Sequence, residues 1–519
     1  MRPAFNTTGP CFPDQHYMVP PERRLDRALE LIEDGKYFTL TGGRQTGKTT
    51  SLFWLVKHFN EGGRVRAIWV DVQGARETPD PAEAFALVLE SIGAAAELYL
   101  PDVKRPTEAH VARWLKRPKS AVRHMLKALA AATPAPLVVL FDEVDGLVGP
   151  AMVSFLTQLR EGYIARTKTP FPHSIALVGM RQVRDYVISG DERKALTWLG
   201  TTSPFNITAA GLTLAVFTRA DVDDLLDQHT RATGQVFQPD ARDRLYELSE
   251  GHPWLTNALA DQIVARDVRD RSVPITAAHV ETAKETIILE RRTHIDSLVA
   301  KLRDPRVRKI LDPMIAGQRL PNDVLDDDFA YVVGLGLVRA IDREWRIANG
   351  VYREVIPRAL SHVQQLSIHE SPGRFVRPDG SLDMPKLMVE WQYFWREDGH
   401  LAAEGFDYRE AGPHLMLMAF LQRIINGGGR ITREYGLGRH ALDLLVEWKG
   451  ERHAIEVKLR RDTETRERAL AQVCRYLDGL GLAEGWLVLF DLRSTKPWPE
   501  RIWNEDASVD GKTVHIVGC

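Results

Sequence analysis

The chain has 519 residues, 44% of them hydrophobic and 27% charged, with 68 lysines and arginines against 70 aspartates and glutamates. That length exceeds a single core and predicts three or four domains. The near-neutral balance excludes a whole-protein basic field, so any nucleic-acid surface must be local. Three cysteines, Cys11, Cys474 and Cys519, are too few and too scattered for a disulfide framework or a zinc ribbon. No apolar run approaches the roughly 18 residues of a membrane span, and the start MRPAFNTTGP lacks a charged region followed by an apolar one. The expectation is a soluble, cytoplasmic protein with no membrane partner.

In chain order, KYFTLTGGRQTGKTTSLFWLVKHFN runs from a short β-rich stretch through glycines into a helix with apolar residues at Leu52, Leu55, Val56 and Phe59. Strand, glycine-rich loop and helix form the setting of a P-loop, and Gly42, Gly47, Lys48 and Thr49 complete GxxxxGK[ST]. Gly42, Gly43, Arg44, Gln45, Thr46, Gly47, Lys48, Thr49 and Thr50 are therefore read as the nucleotide-binding loop. Its backbone N–H groups would curl around phosphates at a helix N-terminus, with Lys48 neutralising charge and Thr49 holding Mg²⁺. PLVVLFDEVDGL supplies the second buried strand, ending in Asp142, which would reach the magnesium, and Glu143, which would polarise the attacking water. Further β-type runs, RVRAIWVDVQG and HSIALVGMRQVRDY, alternate with helical segments and predict a parallel sheet covered on both faces.

The run from FNTTGPCFPDQHYMVPP through GGRQTGKTT and LFDEVD to SPFNI resembles the archaeal-type ATPases of the STAND branch. These are relatives of AAA+ proteins within the P-loop class that carries a catalytic glutamate. GHPWLTNALADQIV, from Gly251 to Val264, is similar to the helical lid of that group, whose GxP element senses the nucleotide. The resemblance implies ATP as ligand, Pro253 at the nucleotide, Arg181 or Arg184 on the γ-phosphate, and His16 and Tyr17 near the adenine. It also implies assembly as a homo-oligomer on ATP binding. Read on their own, Arg181 and Arg184 equally fit solvated charges closing a strand.

Two helix-like segments follow, then GLVRAID and EWRIAN around a charged turn, then another helix, the pattern of a winged helix. DVLDDDFAYVVG, where a recognition helix would lie, is acidic and would repel phosphate, which favours a role within the molecule over DNA reading. HESPGRFVRPDGSLD reads as a linker. The expected division is a P-loop core over 1–212, a helical lid over 213–290, a winged helix over 291–365, a linker over 366–384 and a last domain over 385–519.

That last domain contains two apolar-alternating strands, ALDLLVEW and AIEVKL, around a polar turn. With Gly450 and Glu451 as the turn, Leu445 would face Glu456 and Asp443 would face Lys458. Alternation then places Asp443, Glu456 and Lys458 on one face and Leu442, Leu444, Val446, Ile455, Val457 and Leu459 on the other. A hard cation bridging the two carboxylates, flanked by a lysine, meets the needs of phosphodiester cleavage. A helix follows with Gln472 and Tyr476 four apart, and then the buried strand GWLVLFD. The order αβββαβ with D, ExK and QxxxY resembles the PD-(D/E)XK nuclease superfamily, particularly the branch fused to DNA-repair helicases. That resemblance implies Asp443 and Glu456 as ligands of Mg²⁺ or Mn²⁺, Lys458 as the catalytic lysine, and Gln472 with Tyr476 at the site or substrate. Arg430, Arg433, Arg439, Arg460, Arg461, Arg466 and Arg468 would supply phosphate contacts to DNA. Leu442 stands where the pattern has proline, and the third ligand is either Glu434 or none.

The resulting expectation is an α/β protein with four parts: a P-loop NTPase sheet, a helical lid, a winged-helix domain, and a C-terminal restriction-endonuclease-like α/β domain. Its function reads as ATP binding and hydrolysis controlling a Mg²⁺-dependent DNA nuclease, in defence against foreign DNA or genome maintenance. The alternative is a signalling or DNA-loading ATPase whose nuclease-like domain only binds nucleic acid or a partner.

Overall fold

The computed structural model describes residues 3–179, 207–315, 326–341, 343–360, 372–399, 411–425, 429–437, 440–459, 465–491 and 497–519. The chain forms two compact units, Met1–His294 with Ala330–Val338, and Ile295–Phe329 with Arg339–Cys519. Arg181 and Arg184 lie outside the described residues, as do the side chains of Arg430, Arg433, Glu434, Arg439, Arg460 and Arg461.

In the first unit, α1 (Asp26–Glu33), β1 (Tyr37–Thr41), α2 (Lys48–Gly62), β2 (Arg66–Asp71), α3 (Pro81–Tyr99), α4 (Glu108–Leu115), α5 (Pro118–Ala132), β3 (Leu137–Asp142), α6 (Gly149–Ala165), β4 (Ser174–Gly179) and β5 (Thr208–Thr213) follow in turn. The sheet order is β2-β3-β4-β1-β5, with every pairing parallel. Strands β1, β3 and β4 are buried at every position, as strands covered on both faces must be. Alternation splits their side chains between two cores. Ile68, Val139, Phe141, Ile175 and Leu177 pack with α3, α5 and α6. Ala67, Val138, Leu140, Ala176 and Val178 pack with α1 and α2. Because β4 separates β1 from β3, the loop after β1 and the acids ending β3 flank the C-terminal end of β4, where open α/β sheets bind ligands.

Four helices follow β5: α7 (Arg219–Thr233), α8 (Pro239–Ser249), α9 (Pro253–Asp261) and α10 (Ala277–Leu289). Thr218 and Asp221 cap α7 reciprocally, with Asp221 N donating to Thr218 Oγ1 at 3.1 Å and Thr218 N to Asp221 Oδ2 at 2.9 Å. Gly251, before α9, has φ +76°, and a Cβ there would stand 1.9 Å from Phe217 O. Only glycine fits this crossing of two backbones.

The helices α11 (Thr293–Lys301), α12 (Pro305–Ile315) and α13 (Asp327–Gly334), the hairpin β6 (Val338–Ile341) and β7 (Glu344–Ile347), and α14 (Gly350–Leu360) come next. Two acids of the acidic run, Asp326 and Asp328, are held in ion pairs. Asp328 pairs with Arg306 at 2.6 Å and with Lys309 at 2.8 Å, and Asp326 with Lys309 at 3.0 Å. The second unit continues with α15 (Met384–Phe394), α16 (Ala411–Ile425), β8 (Gly429–Leu437), β9 (His440–Trp448), β10 (Glu451–Leu459), α17 (Thr465–Leu480), β11 (Glu484–Phe490), β12 (Trp503–Val509) and β13 (Lys512–Gly518). Its mixed sheet has the order β12-β13-β11-β10-β9-β8. One face packs on α17 through Leu445, Ala454, Val473, Leu477 and Leu487. Trp391 and Trp395, in and just after α15, meet Phe490 at 6.0 and 4.8 Å, and Phe420 of α16 lies 5.6 Å from Trp391.

The β9–β10 register differs from the sequence expectation by two residues. The turn is Lys449–Gly450, with φ 46° and 94°, the positive pair of a type I′ hairpin. Trp448 therefore faces Glu451, Val446 faces His453 and Leu444 faces Ile455. One further step sets Asp443 opposite Glu456 rather than Lys458. A shift of two preserves side-chain parity, so the three still share a face.

Candidate functional site

The loop after β1 is built as a phosphate cradle. Gln45 adopts φ 58°, and the N-terminus of α2 begins at Lys48, leaving its first N–H groups available to an anion. Lys48 Nζ donates to Gly42 O at 2.9 Å and Gly43 O at 3.0 Å, and Thr46 Oγ1 donates to Gly43 O at 2.9 Å. Burial lowers the Lys48 pKa, against the pull of Asp142, Glu143 and Asp145. From the segment Ala330–Val338, Leu335 O would stand 3.2 Å from a Cβ at Gly43, so that segment closes directly on the loop.

At the end of β3, Asp142 Oδ2 accepts from Thr49 Oγ1 at 2.9 Å and from Trp69 Nε1 at 3.2 Å, while Oδ1 accepts from Glu143 N at 3.0 Å. Thr49 hydroxyl and Asp142 carboxylate thus stand side by side, an oxygen set that fits Mg²⁺. Burial raises the pKa of Asp142 despite these donors. Glu143 takes a left-handed backbone, φ 54°, and its carboxylate is 3.3 Å from Arg76. Burial, then Asp145 and Asp142, raise its pKa above that of an ordinary glutamate, the direction that suits a proton acceptor working near neutrality.

The N-terminal segment reaches the end of this loop and is itself tied to α9. Cys11 N donates to Thr50 Oγ1 at 3.0 Å, Trp254 Nε1 to Thr7 O at 2.9 Å, and Asn6 N to Asn257 Oδ1 at 3.2 Å. Arg24 Nη1 donates to Thr46 O and to Ala215 O, both at 3.0 Å, and its guanidinium lies over Phe217. Burial lowers the Arg24 pKa to about 10. Pro253 opens α9 at its first position, where its fixed φ suits a helix start. Tyr17 is buried against Phe5 at 4.9 Å and His229 at 5.7 Å, and His16 Nδ1 accepts from Phe12 N at 3.0 Å.

In the second unit, Glu456 is wholly buried. Its Oε1 lies 2.5 Å from Lys458 Nζ, which is also 3.7 Å from Asp443 Oδ2. Asp443 Oδ2 accepts from Val457 N at 2.9 Å, and Asp443 N donates to Glu456 Oε2 at 3.4 Å. Burial and the Asp443 charge push Glu456 up to about 8, the behaviour of two carboxyl groups that resist ionising together. Burial works against the charge of Lys458, but Asp443 and Glu456 outweigh it and raise its pKa. From α17, Gln472 Nε2 donates to the Tyr476 hydroxyl at 2.7 Å, and Tyr476 is close enough to the trio to feel the charges of Glu456 and Asp443. The five residues named from the sequence therefore meet in one place. Among the described residues no third His, Cys, Asp or Glu joins the two carboxylates. Glu434 holds the register position beside Asp443, between the Arg433–Leu444 and Tyr435–Leu442 pairs.

Residues 14–354 match the sequence profile of the AAA-like domain family. The chain belongs to that family. Among solved structures it is similar to a Walker-type ATPase of Pyrococcus abyssi, at 14% identity and TM-score 0.47 over 68% of this chain and 99% of that one. It is also similar to the ORC2 protein of Aeropyrum pernix in ADPNP and ADP complexes, at 14% and 0.38 over 66% and 92%. A third similarity is to the RuvB Holliday junction branch migration motor of Thermotoga maritima, at 13% and 0.32 over 65% and 93%. No curated protein sequence matches the chain.

The AAA-like domain is a P-loop ATPase, and its contiguous motifs were the parts visible in sequence. Arg24, Cys11 and His294, whose Nδ1 donates to Gln45 Oε1 at 2.8 Å, were not. Each acts on the loop from outside its motif, at a separation with no fixed spacing. Among the described residues no helix is long and apolar enough to cross a membrane.

Proposed function

We propose that the AAA-like ATPase controls a Mg²⁺-dependent nuclease centred on Asp443, Glu456 and Lys458, acting on DNA. The observation that carries this reading is the wholly buried Glu456 set beside Asp443, with one lysine reaching both. A carboxyl pair placed inside central strands is costly where packing alone is at stake, and such costs concentrate at functional sites. Asp443 and Glu456 offer hard oxygen donors that would hold Mg²⁺ or Mn²⁺, and an ion there would draw the Glu456 proton off. When bound, the ion supplies a polarised water and neutralises charge developing on phosphorus. Lys458 keeps a positive charge at the same point and would stabilise the attacking oxygen, while Tyr476, oriented by Gln472, borders the trio.

In this reading Thr49 and Asp142 hold the ATP magnesium, Glu143 activates water, and Pro253 couples the lid to the nucleotide, as in STAND-type ATPases. Segment 291–365 acts as a winged helix that transmits nucleotide state, and ATP binding promotes assembly of copies of the chain in the cytoplasm. The test is cleavage of plasmid and single-stranded DNA with Mg²⁺ or Mn²⁺ by the wild type, Asp443→Ala and Lys458→Met. Loss of cleavage by about 100-fold or more in both variants is expected. Cleavage that survives Asp443→Ala refutes the site. DNA retention without cleavage by the wild type assigns the domain to binding alone.

A further inference from the structure

Gln45 lies within the phosphate loop in a left-handed conformation, φ 58°, which costs a residue bearing a Cβ roughly 1 kcal/mol. Its side-chain carbonyl accepts the 2.8 Å hydrogen bond from His294 Nδ1 across 249 positions of sequence. His294 is 3% exposed. It stacks on Trp254 with ring centroids 4.8 Å apart and planes at 21°, and meets His252 at 4.7 Å. His252 and Trp254 flank Pro253 at the start of α9. Trp254 in turn is tied to Thr7, and Cys11, four residues further on, to Thr50. The contacts form a closed ring around the phosphate loop: Thr50, the N-terminal segment, α9, His294 and Gln45.

We propose that His294 is a positioning residue for ATP. By donating to Gln45 it holds the loop in the turn that aims backbone N–H groups at the phosphates, and it does so while Trp254 and α9 are seated. Burial, then His252 and Arg44, hold the His294 pKa well below that of a free imidazole. The ring is therefore neutral at physiological pH, and its single N–H is the one given to Gln45. Nothing in this inference depends on the carboxylate pair of the second unit.

A packing role and a donor role rank two substitutions in opposite order. His294→Phe keeps the stack on Trp254 and loses the donor; His294→Asn gives up the ring and offers an N–H near the position of Nδ1. Steady-state ATPase kinetics should show His294→Phe raising KM for ATP about five- to tenfold, the effect of leaving one acceptor unpaired, with kcat changing much less. His294→Asn should recover most of that loss. In the Gln45→Leu background, adding His294→Phe should change KM by less than about twofold, because the partner is already gone. Wild-type KM in His294→Phe, or a larger KM in His294→Asn than in His294→Phe, overturns the proposal. Should either ring variant fail to fold by thermal unfolding, Gln45→Leu alone decides. It raises KM if the bond positions the loop, and leaves KM unchanged if the bond does not.

Discussion

Replacing Glu143 by Gln tests the water-activating role proposed for it apart from every other role at the end of β3. Asp142 is already engaged by Thr49, Trp69 and the Glu143 N–H, whereas the Glu143 carboxylate is held by Arg76 at 3.3 Å. Both side chains of that pair are substantially exposed, at 34% and 46%, so the pair contributes about 0–1 kcal/mol. Its loss could slow turnover by roughly fivefold at most. Loss of a general base costs roughly 10²- to 10⁴-fold, or about 3–5 kcal/mol of barrier. The two effects are therefore separable. Phosphate release at saturating ATP should fall about 100-fold or more in Glu143→Gln, with ATP affinity by fluorescent-nucleotide titration within about threefold of wild type. Arg76→Met should stay within about fivefold of wild-type kcat. The pH profile gives a second check. Burial and the neighbouring acids raise the Glu143 pKa, so its basic form is lost as pH falls, at a pH above the usual glutamate range. Wild-type kcat should show that acidic limb, and the residual rate of Glu143→Gln should lack it. A Gln variant retaining more than about a tenth of wild-type kcat, or an equal loss in Arg76→Met, would refute the assignment.

Gly251→Ala should destabilise the first unit by roughly 2–4 kcal/mol, through a left-handed φ and a Cβ 1.9 Å from Phe217 O; a denaturant midpoint equal to wild type contradicts it. Arg24→Met should weaken ATP binding about three- to tenfold, since the bonds to Thr46 O and Ala215 O brace the loop from its outer side, and Arg24→Lys should restore only part. Calorimetric titration checks both.

The P-loop and the Asp142–Glu143 strand were legible because each is a short contiguous motif whose local geometry carries its chemistry. The C-terminal trio was legible in one respect only. Side-chain alternation needs parity, which survives a two-residue shift, whereas register depends on the turn, and Lys449 adopts a positive φ that nothing in its type announces. The acidic run at 326–328 was read as a repulsive surface because its partners, Arg306 and Lys309, lie 17 to 22 positions away. Arg24 and His294 escaped for the same reason: tertiary neighbours of a motif have no spacing of their own.

The proposed function requires the nucleotide state of the AAA-like domain to govern phosphodiester cleavage by the Asp443, Glu456 and Lys458 face. Initial rates of plasmid cleavage in Mg²⁺, with and without ATP, for the wild type and Lys48→Ala decide whether this coupling exists. The wild type should show at least about a tenfold difference between the two conditions, and Lys48→Ala none, because its cradle has lost its fixed positive charge. Cleavage at one rate in all four reactions, or its absence from all four, contradicts it.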